Sequence, residues 1–376
     1  MQRTIQSFTK FMRIHYIDNL RWLAILLLIP YHAAMAWNVW GEPNYIFFHG
    51  NKVLSSVIVF LSPYYMPMLF LLAGISTKYA LKKRTYIKYI TERAKRLLIP
   101  LLFGTLLLMP VMSFIADKYN CCYNHGFWTH YSVFFTKFTD LTGADGGFSF
   151  GQFWFLLYLL VISTIAVGII AFQKKHISKI EFDPSFWLVI VLGIPLPLLS
   201  EIFSIGGKSF AEYLYIFLVG YYVFSNDHII DKAAKYKSIL LCIGLSASII
   251  NVYLFIWSET KYTLLNTITK FTAEWFMLIA LMGVGKRNLD FTGKLSEHMS
   301  KISFSFFSFH FIWVVLFQYI FSNVSEINTF LFYFIPVISA YILTIICCEI
   351  TLSVPLLCFL TGTKYISKNV NHSTQI

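Results

Sequence analysis

The chain has 376 residues, of which 57% are hydrophobic and only 13% charged, about half the charged share of a soluble globular domain. So few charges cannot cover a water-facing surface of that size, which excludes an ordinary soluble enzyme and makes the bilayer the solvent. A net charge of +12 in a soluble protein would suggest nucleic acid. Here it must first be distributed over a membrane topology, and no nucleic-acid partner is expected.

Crossing hydrocarbon takes about 20 mainly apolar residues. In chain order the qualifying stretches are 20–38, 54–75, 97–116, 153–172, 186–200, 210–224, 238–257, 271–285, 303–321 and 330–352. The fifth is short and interrupted by Pro195 and Pro197, and the sixth and eighth are short as well. Ala34-Met35-Ala36 mimics a signal-peptide cleavage site, but the apolar run continues through Trp37 and Val39, so the first stretch reads as a span. The expected fold is an all-α integral membrane protein of about ten transmembrane helices, one domain over 1–376, with both termini cytoplasmic.

The charges support that topology. It places 24 of the 30 Lys and Arg on inner connections and tails, the asymmetry of the positive-inside rule. The connection from Lys78 to Arg96 alone carries eight of them against one acid, Glu92. The largest outer loop, about 117–152, contains Gly143, Asp145, Gly146 and Gly147 and reads as a segment with structure of its own. Glu201, Glu212 and Glu274 fall near outer span ends, where water can solvate them. Cys242, Cys347, Cys348 and Cys358 read as small core residues, and Cys121-Cys122 as a pair in a polar loop. No spacing fits a zinc site, so no metal is expected. The absence of an internal repeat weakens a transporter built from duplicated halves.

The first span carries the most informative residues. On an unbroken helix the eleven residues from Arg21 to His32 advance about 20° past three turns and about 16 Å along the axis. The two ionisable groups then share one face, and neither is stable against lipid, which makes them candidates for function. Pro30 can kink the helix between them. An unperturbed histidine titrates near neutrality, which makes His32 a candidate catalytic base; a neutral structural His bonded to a neighbouring helix is the competing reading. Arg21 lies at the inner end, as a membrane anchor or an anion clamp, with Asp18 placed to orient it at i,i+3. Arg93 and Arg96 sit one turn apart where the third span begins, suited to a donor with several phosphates. In the ninth span, Ser303 to His310 interleave hydroxyls with aromatics, giving Ser305 a supporting or packing role and His310 the same status as His32. Trp154 opens the fourth span, where an aromatic belt is the plain account.

Together these stretches resemble the integral-membrane acyltransferases of acyltransferase family 3, and most of all its glucan biosynthesis protein C type. The family's mark, an Arg followed after ten residues by a His on the first span, is met by Arg21 and His32. Met66 to Ser76 resembles the family's second span, with Ala73-Gly74 where a Ser-Gly pair is usual. Arg93 and Arg96 match its Arg-x-x-Arg, Trp154-Phe155-Leu156 its fourth-span opening, and Ser303 to His310 its late Ser-aromatic-His stretch. Gln152 stands near a position where many relatives have His, so a role for that His does not transfer.

The resemblance implies transfer of an acyl group, acetyl or succinyl, from cytoplasmic acyl-CoA to a hydroxyl of an extracytoplasmic carbohydrate or glucan, in a bacterial cytoplasmic (inner) membrane. Acyl-CoA is then a co-substrate and no cofactor stays bound. Arg21, Arg93 and Arg96 would hold the donor. His32, with His310, would either deprotonate the acceptor or carry the acyl group. Ten spans with buried ionisable groups equally describe an exporter of saccharides or lipid-linked intermediates, and a non-catalytic partner in envelope assembly is a third reading.

Overall fold

Long runs of Leu, Ile, Phe and Val become helices in lipid because the helix alone satisfies every backbone group within one segment. The computed structural model describes residues 14–139, 141–176, 184–258, 263–322 and 328–365. Helix α1 (His15–Leu26) and α2 (Leu28–Met35) come first. Next is α3 (Lys52–Leu81), whose first amides, Val53 and Leu54, donate to the side chain of Asn51. A π-helical turn at Gly104–Leu108 joins α4 (Tyr86–Phe103) to α5 (Met109–Asn120). In the large outer loop lies α6 (Phe127–Thr136). A tight turn at Gly151–Phe153 leads into α7 (Trp154–His176).

Short helices α8 (Phe186–Val191) and α9 (Leu196–Leu199) precede a small hairpin of β1 (Ser204–Ile205) and β2 (Lys208–Ser209). The rest is α10 (Phe210–Tyr222), α11 (Asp227–Lys235), α12 (Lys237–Val252), α13 (Thr263–Asn288), α14 (Lys294–Phe321), α15 (Thr329–Ser353) and α16 (Pro355–Thr361). Helices α12 with α13 and α14 with α15 pack as consecutive pairs, while α3 with α10 and α4 with α7 pair across the chain.

Among the described residues, seven helical runs are long and apolar enough to cross a membrane. The other three expected spans are helical but short or interrupted. Stretch 20–38 breaks at Leu27, 186–200 splits into α8 and α9 at the prolines, and 210–224 gives a helix of 13 residues. The chain ends, residues 1–13 and 366–376, lie outside the described residues. Two sequence expectations fail. Glu212 and Glu274 are not solvated: they are 8% and 1% exposed, because α10 and α13 turn them inward, where the two side chains interact directly. Cys242 is exposed on the outside of α12 instead of in the core.

Pro30 explains the break in the first span. Without an N–H it leaves the Leu26 carbonyl without its helical partner. That carbonyl accepts instead from the Tyr341 hydroxyl of α15 at 2.7 Å. At the same joint Tyr65 of α3 donates to Ala24 O at 2.6 Å, and Tyr333 of α15 donates to Pro30 O at 3.0 Å. Freed carbonyls inside a membrane protein need such partners.

Helices α3 and α10 touch backbone to backbone. A Cβ on Gly74 would lie 2.0 Å from the Phe217 carbonyl oxygen, and one on Gly220 2.4 Å from that of Leu71. Small residues at helix contacts supply the packing that apolar surface alone cannot drive in lipid.

Candidate functional site

The turn after the Leu27 break carries His32 to α14. Its ring stacks on Phe311 at 4.1 Å between centroids and lies 5.3 Å from the ring of His310. The pair expected from sequence is thus brought together from two helices nearly the whole chain apart. Gln318 of α14 donates to Ala33 O at 3.0 Å and fixes α2 at the next residue. His32 stays half-buried, whereas His310 is fully buried. Tyr31 stands edge-on to His32 at 5.6 Å and hydrogen-bonds to Ser62 at 3.0 Å.

The tautomer of His310 follows from its neighbour. Its Nδ1 is 2.8 Å from Phe307 O. A carbonyl only accepts, so Nδ1 carries the proton and Nε2 keeps its lone pair. Nε2 is buried and has no partner among the described residues. Gln152, where a His was absent, donates to Ser308 O at 3.2 Å and docks the start of α7 beside this turn. Ser305 is buried and donates to Ile302 O at 2.9 Å, within its own helix. Its hydroxyl packs α14 and does not reach the histidines by any bond described.

Three guanidinium groups gather around α1 and the middle of α4. Arg21 donates to Asp18 at 2.9 Å, the expected i,i+3 pair, and to Ser76 of α3 at 3.0 Å. Arg96 lies 5.0 Å over the Phe304 ring of α14 and within electrostatic reach of Arg21, Arg93 and Asp18. Arg93 lies 5.7 Å from the Tyr89 ring, and its Nε and Nη2 are buried with no hydrogen-bond acceptor among the described residues. Buried donors of a charged group are costly to leave unmade, so this cluster is prepared for an anion. From Phe304 to His310 is six residues along α14, about 9 Å. The basic cluster and the histidine pair therefore lie along one helix.

Asn19 was not singled out from sequence, yet it organises this end. Fully buried, it donates to Leu289 O at 2.6 Å and Phe291 O at 2.9 Å, and accepts from Trp22 at 2.9 Å and from the Ser296 hydroxyl. It ties α1 to the turn between α13 and α14. Nothing local in the sequence marks an Asn that makes four bonds across the fold.

A third group lies around Trp154. Trp154 crosses Tyr158 at 87° with centroids 5.2 Å apart and stacks with Tyr213 at 6.0 Å. Lys208 Nζ lies 5.2 Å from the Trp154 ring centre. Burial pulls its ammonium below the ordinary lysine value, with Glu42 partly offsetting it. Trp154 is therefore more than a membrane-belt residue. The Gly206-Gly207 dipeptide was the available sequence signal for the turn beside Lys208.

A family model described as an acyltransferase domain matches residues 14–349 of the chain. The chain belongs to membrane acyltransferase family 3. No curated protein and no solved structure matches it. The match covers Arg21, His32, Arg93, Arg96, Trp154, Ser305 and His310 together. As a family 3 member, the protein is a multi-pass membrane acyltransferase that moves groups other than amino-acyl groups.

Proposed function

We propose that this acyltransferase moves an acetyl or succinyl group from cytoplasmic acyl-CoA to a hydroxyl of an extracytoplasmic carbohydrate or glucan, with ten crossings and both ends in the cytoplasm of a bacterial inner membrane. The charge asymmetry of the connections supports that topology. The observation that carries the chemistry is the His32–His310 pair, 5.3 Å apart, on a helix whose Phe304 meets the arginine cluster.

Arg93, Arg96 and Arg21 bind the phosphates of the donor, Arg93 through the donors it leaves unpaired. The thioester then reaches His32. His32 removes the proton of the acceptor hydroxyl, the oxygen attacks the thioester carbonyl, and the bond to sulfur breaks. The imidazolium returns its proton to the departing thiolate. His310 packs beside His32, 5.3 Å away between ring centres, with its own ring held by Phe307 O. Direct attack with His32 as base is the step put to the test, and an acyl-histidine carrier is the alternative.

Labelled acyl-CoA and a glucan acceptor, with protein in nanodiscs, test this reading. His32→Ala is expected to lower transfer about 10²- to 10⁴-fold with the protein still folded. Wild-type transfer by His32→Ala, or saccharide flux without acyl-CoA and without acylated product, would refute it; the latter outcome identifies an exporter.

A further inference from the structure

The outer hairpin holds a charge that the proposed chemistry does not use. Its turn residues, Gly206 and Gly207, have φ values of 56° and 71°, the left-handed pair that a two-residue hairpin turn demands. At its base, Ser209 donates to the carbonyls of Leu199 and Ile202, at 2.7 and 3.0 Å, and accepts from the Glu212 amide. Tyr158 donates to Lys208 O at 3.1 Å. Lys208 is therefore held by its backbone on both sides.

Lys208 is half-buried as a residue. Among the described residues it touches the Gly206 carbonyl, at 3.1 Å, and the Trp154 face, and it forms no ion pair. Glu42 acts on it at longer range, without an ion pair between them among the described residues, and its carboxylate accepts from Trp40 at 2.9 Å. Lys208 also lies within electrostatic reach of His32. A cation withdrawn from water without a counter-charge is costly, and an arriving anion relieves the cost. Trp154 and Tyr158, crossed at 87° with centroids 5.2 Å apart, border it.

We propose that Lys208 binds a carboxylate or phosphate carried by the acceptor, so that the saccharide presented to His32 is an acidic one. This rests on the reading of His32 as the group that acts on a saccharide hydroxyl, and it adds the charge class of that saccharide. The same cation chemistry would suit the phosphate of an outer-leaflet lipid, which is the alternative source the experiment separates.

The full chain in phosphatidylcholine nanodiscs is titrated calorimetrically, without acyl-CoA, with trigalacturonate and with maltotriose. Trigalacturonate is expected to bind about tenfold more tightly, a preference that weakens with salt. Lys208→Gln removes the preference and Lys208→Arg keeps it. Equal affinity for the two sugars, or an undiminished preference in Lys208→Gln, overturns the proposal. So does loss of the preference in phosphatidylglycerol nanodiscs, which assigns the cation to lipid. Acyl transfer to the same sugars is measured separately. Lys208-dependent binding of trigalacturonate with no transfer to either sugar leaves the acidic-ligand inference standing and removes the transferase reading. Transfer that is equal for both sugars and indifferent to Lys208→Gln does the reverse.

Discussion

A methyl group placed at Gly74 tests whether α3 and α10 must touch. In Gly74→Ala the new Cβ would sit 2.0 Å from the Phe217 carbonyl oxygen, where carbon and oxygen ordinarily approach to about 3.3–3.6 Å. The neighbour is backbone, so no side chain can swing away, and the helices must part by more than about 1 Å. A gap of that size forfeits about a quarter to a half of each dispersion contact it opens, and overpacking of this kind costs about 1–3 kcal/mol. Gly220→Ala meets Leu71 O at 2.4 Å and carries a similar cost. One separation accommodates both methyl groups, so the double variant should lose less than the sum of the singles, with a coupling of about 0.5 kcal/mol or more. Gly168→Ala is the control: nothing lies within 4 Å of its Cβ position on α7, and exchange there gains helix propensity of up to about 1 kcal/mol. Reversible unfolding in mixed micelles provides the free energies. Gly74→Ala as stable as Gly168→Ala, or strict additivity of the pair, would refute the close-contact argument.

Other perturbations separate the ends of the site. Arg93→Lys should raise the KM for acyl-CoA about tenfold, because a point charge does not replace a planar fork, while the acceptor KM stays constant; steady-state kinetics showing no donor effect would remove Arg93 from that role. Asn19→Leu strips four hydrogen bonds from a buried junction and should cost roughly 3 kcal/mol or more; unfolding indistinguishable from wild type would show that the junction is held otherwise. In the outer loop, His130 is buried with Nε2 3.2 Å from Asp117, and burial holds its imidazole below the ordinary 6.5 although Asp117 works against the shift. The unfolded loop therefore binds a proton the folded loop refuses, so loop stability is present above 6.5 and falls as acidity increases below it. Protection factors for the α6 amides, taken relative to the intrinsic exchange rate at each pH, should fall between about pH 7 and about pH 5, and His130→Gln should flatten that response; wild-type protection that does not change with pH would contradict it.

Much of the architecture was legible because it is local. The apolar runs, the prolines in 186–200, the Asp18–Arg21 spacing and the glycine-rich outer loop each act within a few residues, and helices, a break, an ion pair and a structured loop follow. His32 and His310 were legible as odd polar groups in apolar helices, but their 5.3 Å separation depends on how α2 lies on α14. Asn19 and Lys208 were not legible. Their importance lies in carbonyls and rings supplied by distant segments, and no periodicity records that. Glu212 and Glu274 misled for the same reason: each sits near a span end, but the facing of α10 and α13 decides that they meet each other and not water.

The three tyrosine hydroxyls at the Pro30 joint bear on how substrates come and go. Tyr65, Tyr341 and Tyr333 belong to helices on two sides of the joint, and each occupies a backbone carbonyl there. Swinging α2 outward would break the Tyr333 bond to Pro30 O and pull on the joint that Tyr341 and Tyr65 hold at the end of α1, in a medium with no water to replace a lost bond. The proline is thus a welded elbow, and the histidine beyond it is a stationary anvil to which donor and acceptor must both travel.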